Sequence, residues 1–110
     1  GREGVVKKKI LLRDNNIFIY LFFDRRLNNI RSLTIYKYPH TYLPINDKKK
    51  RFFNQLEELK ISYSNVKNIK NHVFKYVRGL RRLDLSENSI STIESEAFSE
   101  VRKGFPLSNS

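Results

Sequence analysis

The sequence predicts an α/β solenoid, a coil of stacked units in which each unit adds one short strand to a parallel β-sheet. Two observations lead to this fold class. The hexapeptide Leu56-Glu-Glu-Leu-Lys-Ile61 recurs further along the chain as Leu80-Arg-Arg-Leu-Asp-Leu85. The apolar residues that follow keep the same offset, with Val66, Ile69, Phe74 and Val77 mapping to Ile90, Ile93, Phe98 and Val101. Such a fixed period is the signature of a repeat architecture, in which each unit buries its apolar face against its neighbours.

Four units cover most of the chain. They begin near Lys7, Ile30, Leu56 and Leu80, so the spacing of their starts is nearly constant and is largest between the second and the third. Residues 4–103 therefore divide into repeats 1 to 4, at 7–29, 30–55, 56–79 and 80–103. We expect one strand per repeat, centred near residues 9–13, 32–36, 58–62 and 82–86. Residues 104–110 break the pattern because Gly104 stands where the next leucine is due, so we expect this tail to be loosely ordered.

The clearest copy, from Leu80 to Phe98, reads LRRLDLSENSISTIESEAF. It resembles the leucine-rich repeat, L-x-x-L-x-L-x-x-N-x-I-x-x-I-x-x-x-A-F, and its period is similar to that of the typical, extracellular subclass. The resemblance implies a right-handed coil with the parallel sheet on its concave face and an irregular or short helical convex side. It also implies a non-enzymatic module of a secreted or cell-surface receptor or adhesion protein. Because the chain carries no cysteine-bearing cap, we expect a fragment of a longer array.

Each repeat also predicts which side chains enter the core. Alternation along a strand sends Leu83 and Leu85 to one face and Arg82 and Asp84 to the other. Asn88 follows at the turn, where its amide can satisfy backbone groups that would otherwise be buried unpaired. The third repeat has Ser64 at this position, and its hydroxyl supplies part of that bonding. The second has Tyr38, which cannot reach as Asn does, so we expect an irregular turn there.

The outward residues of successive strands are the candidate partner-binding site, because a solenoid places them in parallel columns. The candidates are Lys9, Arg13, Thr34, Tyr36, Lys37, Lys60, Tyr63, Arg82, Asp84 and Glu87. Ser62 shares this face by alternation. Tyr36 and Tyr63 are the expected anchors, since Tyr and Arg tend to carry interface energy. A solvated polar face, which every solenoid needs, is the competing interpretation.

Charge suggests a second class of partner. The chain carries 22 basic and 11 acidic residues, and residues 1–51 account for +9 of the net charge of +11. Lys48, Lys49, Lys50 and Arg51 form a basic run where the second repeat lengthens, which suits a glycosaminoglycan or a nucleic acid. A solvated charge run is the alternative.

Other chemistry finds little support in the sequence. There is no Cys, and His40 and His72 lie far apart in the chain, without metal-ligand spacing. The four glycines form no phosphate-binding motif. The longest apolar run, Ile17–Phe23, is too short to span a membrane. We therefore expect no enzyme activity, no metal or cofactor, and a protein ligand. An extracellular or cell-surface location is favoured, with a cytoplasmic scaffold as the alternative because the chain has no N-x-S/T sequon.

Overall fold

A computed structural model describes residues 6–11, 30–43, 45, 55–101 and 107–108, with side chains described in 30–43, 45 and 55–101. Seven strands occur in these segments: β1 (Val6–Leu11), β2 (Ile30–Tyr36), β3 (Glu58–Ser62), β4 (Asn68–Ile69), β5 (Arg82–Asp84), β6 (Thr92–Ile93) and β7 (Leu107–Ser108). Five of them form one sheet in the order β1-β2-β3-β5-β7, and every neighbouring pair is parallel. The predicted parallel sheet with one strand per repeat is confirmed.

The register of the sheet follows the period of the sequence. Leu33 pairs with Leu59, and Leu59 pairs with Leu83, so equivalent residues of successive repeats lie side by side. A further strand, β7, continues this register because Leu107 pairs with Leu83 at the same spacing that separates Leu59 from Leu83. This strand lies within the segment expected to be a loosely ordered tail. For residues 104–106 and 109–110, which lie outside the described residues, that expectation stays a prediction.

The inward residues of the strands build the core, as alternation predicts. Leu33 and Ile35 in β2, Leu59 and Ile61 in β3, and Leu83 with Leu85 at β5 are all buried. Ile30, Leu56 and Leu80, which open repeats 2 to 4, are buried in the same cluster. Burial of aliphatic side chains at about 1.5–3 kcal/mol each is the main force that holds one repeat to the next.

The side of each repeat opposite the sheet is irregular. The short strands β4 and β6 pair in parallel there, and Tyr42 extends the ladder through a bridge to Asn68. Turns at residues 71–76 and 95–100 complete the units. The described segments of repeats 3 and 4 contain no helix. Of the two expected forms of this side, irregular or short helical, these segments therefore have the irregular one. Phe74 stacks on Phe98 with ring centroids 5.3 Å apart, which places this repeated Phe pair in the packing between repeats.

The first repeat departs from its predicted register. Its strand is described at Val6–Leu11, which shares residues 9–11 with the expected 9–13, and residues 12 and 13 lie outside the described residues. Lys7 was expected to align with Ile30, but Val6 pairs with Ile30 and Lys7 with Ser32. The register shift between Val6 and Lys7 skips Arg31, as a β-bulge does when it inserts one extra residue in a strand. Beyond the strand, residues 12–29 of this repeat lie outside the described residues.

Candidate functional site

Strands β2, β3 and β5 expose one broad surface, which we call the outward sheet face. One column across it is Ser32, Glu58 and Arg82, and the next is Thr34, Lys60 and Asp84. These six side chains, with Leu33, Leu59 and Leu83 between them, line a shallow depression of about 240 Å³. The Ser32 hydroxyl donates to Glu58 Oε2 at 3.3 Å, so part of the first column is already hydrogen-bonded.

Two tyrosines converge where β2 and β3 end. The Tyr36 and Tyr63 rings are 6.3 Å apart between centroids, with their planes inclined by 50°. The Lys60 ammonium lies 5.8 Å from the centroid of the Tyr36 ring, within the range of a cation–π contact. Tyr63 remains 64% exposed, although it is a large aromatic side chain held in a defined position. An exposed tyrosine cluster of this kind can bury large area on a partner at low cost in conformational entropy.

Lys60 also reaches the neighbouring strand. Its Nζ lies 3.9 Å from Asp84 Oδ2. Burial alone would raise the pKa of Asp84, but hydrogen bonds from the Ser86 hydroxyl and backbone N–H and the nearby Lys60 charge hold that pKa below its ordinary value. The Asp84 carboxylate is therefore a fixed negative charge on the outward sheet face at neutral pH, at 2.9 Å from the Ser86 nitrogen.

A buried carboxylate anchors the edge of the sheet where the strands begin. Glu57 is only 8% exposed, and its two oxygens accept from Arg31 at 3.3 Å and Arg81 at 3.4 Å. Arg31, Glu57 and Arg81 occupy equivalent positions in repeats 2, 3 and 4, so one acid bridges two flanking repeats. These ion pairs were not predicted from the sequence, although the spacing of the repeats brings the three residues into line.

The turn after each strand fixes the far edge of the outward sheet face. Asn88 donates through Nδ2 to the carbonyls of Ile61 at 2.8 Å and Leu85 at 2.9 Å, and its Oδ1 accepts from Val66 N at 3.0 Å. Ser64 plays part of this role one repeat earlier, accepting from Tyr38 N and donating to the Ser62 carbonyl, both at 2.8 Å. The predicted roles of Asn88 and Ser64 are confirmed.

The residues that precede the turn positions Tyr38, Ser64 and Asn88 have a left-handed backbone. Lys37, Tyr63 and Glu87 have φ angles of 59°, 49° and 59°. None is a glycine, and the left-handed region costs other residues about 1 kcal/mol or more. This conformation recurs in three successive repeats and sets the direction in which Lys37, Tyr63 and Glu87 leave the sheet. The sequence did not reveal it, because no Gly or Asn marks these positions.

The structure locates most of the predicted site residues. Thr34, Tyr36, Lys60 and Asp84 are half-buried on the outward sheet face, Arg82 is exposed there, and Lys37, Tyr63 and Glu87 are exposed at its far edge. Lys9 lies in β1 opposite Thr34. Arg13 and the basic run Lys48, Lys49, Lys50 and Arg51 lie outside the described residues. Ser62 was predicted on this face by alternation, but it is fully buried. Its short side chain is flanked by Tyr36 and Tyr63.

The histidines lie away from this face. His72 is half-exposed, and it contacts Glu100 Oε1 at 2.7 Å through Nδ1 and Glu96 Oε2 at 3.0 Å through Nε2. The hydrogen bond to Glu100 raises the pKa of His72 and lowers that of Glu100. His40 is half-buried and packs edge-on against Tyr38 at 5.3 Å.

Within the described segments, no group of three His, Asp or Glu side chains is arranged to hold a metal ion. No helix in those segments is long and apolar enough to cross a membrane.

Comparison with known proteins agrees with the repeat. Residues 54–105 match the family model described as Leucine rich repeat. Chaoptin of Drosophila melanogaster is 45% identical over 76 residues, which cover 69% of this chain. The chain spans about 6% of the length of Chaoptin.

Proposed function

We propose that this chain, a leucine-rich-repeat segment, is a recognition module that binds a protein partner through its outward sheet face. The observation that carries the proposal is the Tyr36–Tyr63 pair beside Lys60, with ring centroids 6.3 Å apart. Aromatic residues that are rigid before binding lose little entropy when a partner covers them, and they often dominate interface energy. The proposed module recognises its partner without catalysis.

The polar residues around this pair support a partner of mixed charge. Arg82 is exposed and forms no ion pair within the described segments, whereas Lys60 and Asp84 pair with each other. A carboxylate of the partner can therefore engage Arg82 without breaking an existing ion pair. Lys37 and Glu87 add one charge of each sign at the far edge. Such charges favour orientation and partner choice more than raw affinity.

The finer architecture belongs to the same proposal. We place the outward sheet face on the concave side of a right-handed coil, and the module in a secreted or cell-surface protein of receptor or adhesion type. The 45% identity to Chaoptin over 76 residues supports this assignment. The candidate residues Lys9 and Arg13 of repeat 1 would extend the same face.

Site-specific photocrosslinking tests the proposal. A benzoylphenylalanine at position 63 reports on the outward sheet face, and the same probe at Tyr42 is the matched control. Tyr42 is also a substantially exposed tyrosine, at 43% against 64% for Tyr63, but it lies on the side of β4 and β6. We expect a protein to be captured at position 63 and not at position 42.

Affinity measurements with the captured protein complete the test. Replacing Tyr36 or Tyr63 by Ala should weaken binding about tenfold or more, as loss of an anchor does, whereas Tyr42→Ala should leave it unchanged. Equal capture at the two positions, or an affinity indifferent to both tyrosines of the outward sheet face, would contradict the proposed site.

The charge distribution favours a second candidate, a polyanion bound by the basic first half. Residues 1–51 carry +9 of the net charge of +11. Such binding releases counterions, so heparin affinity should fall steeply with salt. Replacing Lys48, Lys49, Lys50 and Arg51 by Ser should weaken heparin binding, and Tyr63→Ala should not. Heparin affinity that survives high salt would reject this candidate.

A further inference from the structure

Repeats 3 and 4 are joined on the side away from the sheet by a polar network that we call the clasp. It consists of Asn71 and His72 from repeat 3 and of Glu94, Glu96 and Glu100 from repeat 4. The Asn71 nitrogen donates to Glu94 Oε1, and Asn71 Oδ1 accepts from the Glu96 nitrogen, both at 2.7 Å. The His72 nitrogen donates to the Glu96 carbonyl at 3.2 Å. These three bonds link the two repeats whatever the protonation state of the His72 ring.

The His72 ring completes the clasp with two contacts. Its Nδ1 lies 2.7 Å from Glu100 Oε1, and its Nε2 lies 3.0 Å from Glu96 Oε2. An ionised carboxylate only accepts hydrogen bonds, so each contact needs an N–H on the ring. A neutral imidazole has one N–H, and its other nitrogen would direct a lone pair at a carboxylate. The imidazolium has two N–H groups, so the closed clasp fits protonated His72.

The backbone at His72 is also specific to this turn. Its φ angle is 60°, in the left-handed region that is unfavourable for a residue with a Cβ atom. At Lys37, Tyr63 and Glu87 this conformation recurs from one repeat to the next. At His72 it does not recur, because its counterpart in repeat 4, Glu96, has no positive φ. The conformation is therefore a local feature at the residue whose ring meets both carboxylates.

The charges around the ring favour the same protonation state. The ring faces two carboxylates of repeat 4, and the third, that of Glu94, binds the residue beside it. The nearest cations along the chain, Lys70 and Lys75, form no ion pair with these acids within the described segments. The hydrogen bond to Glu100 raises the pKa of His72 and lowers that of Glu100. The ring contacts are therefore complete below about pH 6.5 and are lost as pH rises through the folded-state pKa of His72.

We propose that the clasp is a pH-sensitive switch at the junction of repeats 3 and 4, closed when His72 is protonated and loosened when it is neutral. Deprotonation removes the hydrogen from one of the two ring contacts. The bonds of Asn71 then hold the turns with less support. The apolar core takes no part in the change, so both repeats stay folded. The clasp lies opposite the outward sheet face, and the proposal does not depend on the proposed function.

An NMR titration of the whole chain tests the ring contacts. The chain has two histidines, so the ring signals that disappear in His72→Gln are those of His72. The pKa of His72 should fall in Glu100→Gln and in Glu96→Gln, because each variant removes one charged acceptor. Glu87→Gln removes the same charge from repeat 4 outside the clasp and should leave the titration unchanged. A His72 pKa that is the same in the parent chain and in both clasp variants would overturn the proposal.

Hydrogen exchange shows whether the proton controls the junction. After correction for the intrinsic pH dependence of exchange, protection of the Asn71 and Glu96 amides should fall as pH rises through the pKa of His72. The Val66 amide, which donates to Asn88 Oδ1 at 3.0 Å, is the internal control and should change less. The fall should be absent in His72→Gln. Protection that is independent of the ring titration, or an equal change at Val66, would reject a local switch, and both results come from the parent chain without any variant.

Discussion

Replacing Asn88 by Ala should destabilise the chain by about 3 kcal/mol, the sum of the hydrogen bonds that the change removes. The side chain is 9% exposed and makes three short hydrogen bonds, to the carbonyls of Ile61 and Leu85 and from the nitrogen of Val66. Each is worth about 1 kcal/mol net, and truncation leaves the buried backbone partners unpaired. The contact with the Ser86 carbonyl at 3.3 Å shares the same two donor hydrogens, so it adds no full bond. A loss of this size is a large fraction of the stability of a small domain.

Equilibrium unfolding in urea, monitored by circular dichroism, gives the free energy of unfolding. Asn88→Asp is the informative companion variant, because a carboxylate keeps the acceptor for Val66 N and loses the donors for Ile61 and Leu85. It should destabilise the chain about as much as Ala does. Asn65 supplies the control: it is exposed and donates a single bond to the Pro39 carbonyl at 3.1 Å, so Asn65→Ala should cost less than about 1 kcal/mol.

The reasoning would be refuted if Asn88→Ala cost less than about 1 kcal/mol, or if Asn88→Asp were as stable as the parent chain. Either result would mean that the backbone groups facing Asn88 find other partners, and that the amide does not hold successive turns together. An unchanged m-value would show that the variants differ in stability and not in the extent of unfolding.

Three further outcomes are expected from the same unfolding measurements. Lys37→Gly should stabilise the chain by up to about 1 kcal/mol because φ at Lys37 is 59°, whereas exposed Lys67, which has no positive φ, should gain nothing from Gly. Tyr38→Phe should be neutral or stabilising by about 1 kcal/mol, because the buried Tyr38 hydroxyl has no hydrogen-bond partner within the described segments. Burial also raises the pKa of this phenol. A large loss of stability would show that the hydroxyl does have a hydrogen-bond partner. The pKa of His72 is raised, first by the hydrogen bond to Glu100, so protonated His72 contributes stability that is full below about pH 6.5 and is lost as pH rises through the folded-state pKa. His72→Gln should therefore flatten that part of the plot of unfolding free energy against pH. An unchanged slope would assign this pH dependence to another group.

Local pattern was sufficient for the parts of this molecule that repeat. Leu83 and Leu85 could be assigned to the core because side chains alternate along a strand, and the fixed offset between copies showed that neighbouring units share this arrangement. The role of Asn88 followed from the same reasoning, since a turn that buries its backbone needs a side chain with both donors and an acceptor. These features depend on short segments of sequence, so a single repeat contains the information.

Features that join two or three repeats required the tertiary structure. The Tyr36–Tyr63 contact, the ion pairs of Glu57 with Arg31 and Arg81, and the approach of His72 to Glu100 each link residues of neighbouring repeats. The repeat period aligns such residues in a column across the sheet. Side-chain rotamers and the distances between them then decide which neighbouring side chains are in contact. The register of β1 was not predicted from the sequence either, because the skip of Arg31 between Val6 and Lys7 displaces the partners of the following residues.

The sequence by itself thus determined the repeat, the sheet strands and apolar core positions of repeats 2 to 4, and the parallel pairing, because these follow from periodicity and the burial of apolar side chains. Only the tertiary structure decided the left-handed backbone at Lys37, Tyr63 and Glu87, and with it the shape of the outward sheet face. The physical reason is that non-glycine residues enter that conformation only when the surrounding hydrogen bonds hold them there. At Tyr63 and Glu87, the bonds of Ser64 and Asn88 to neighbouring turns supply that constraint across the repeat boundary.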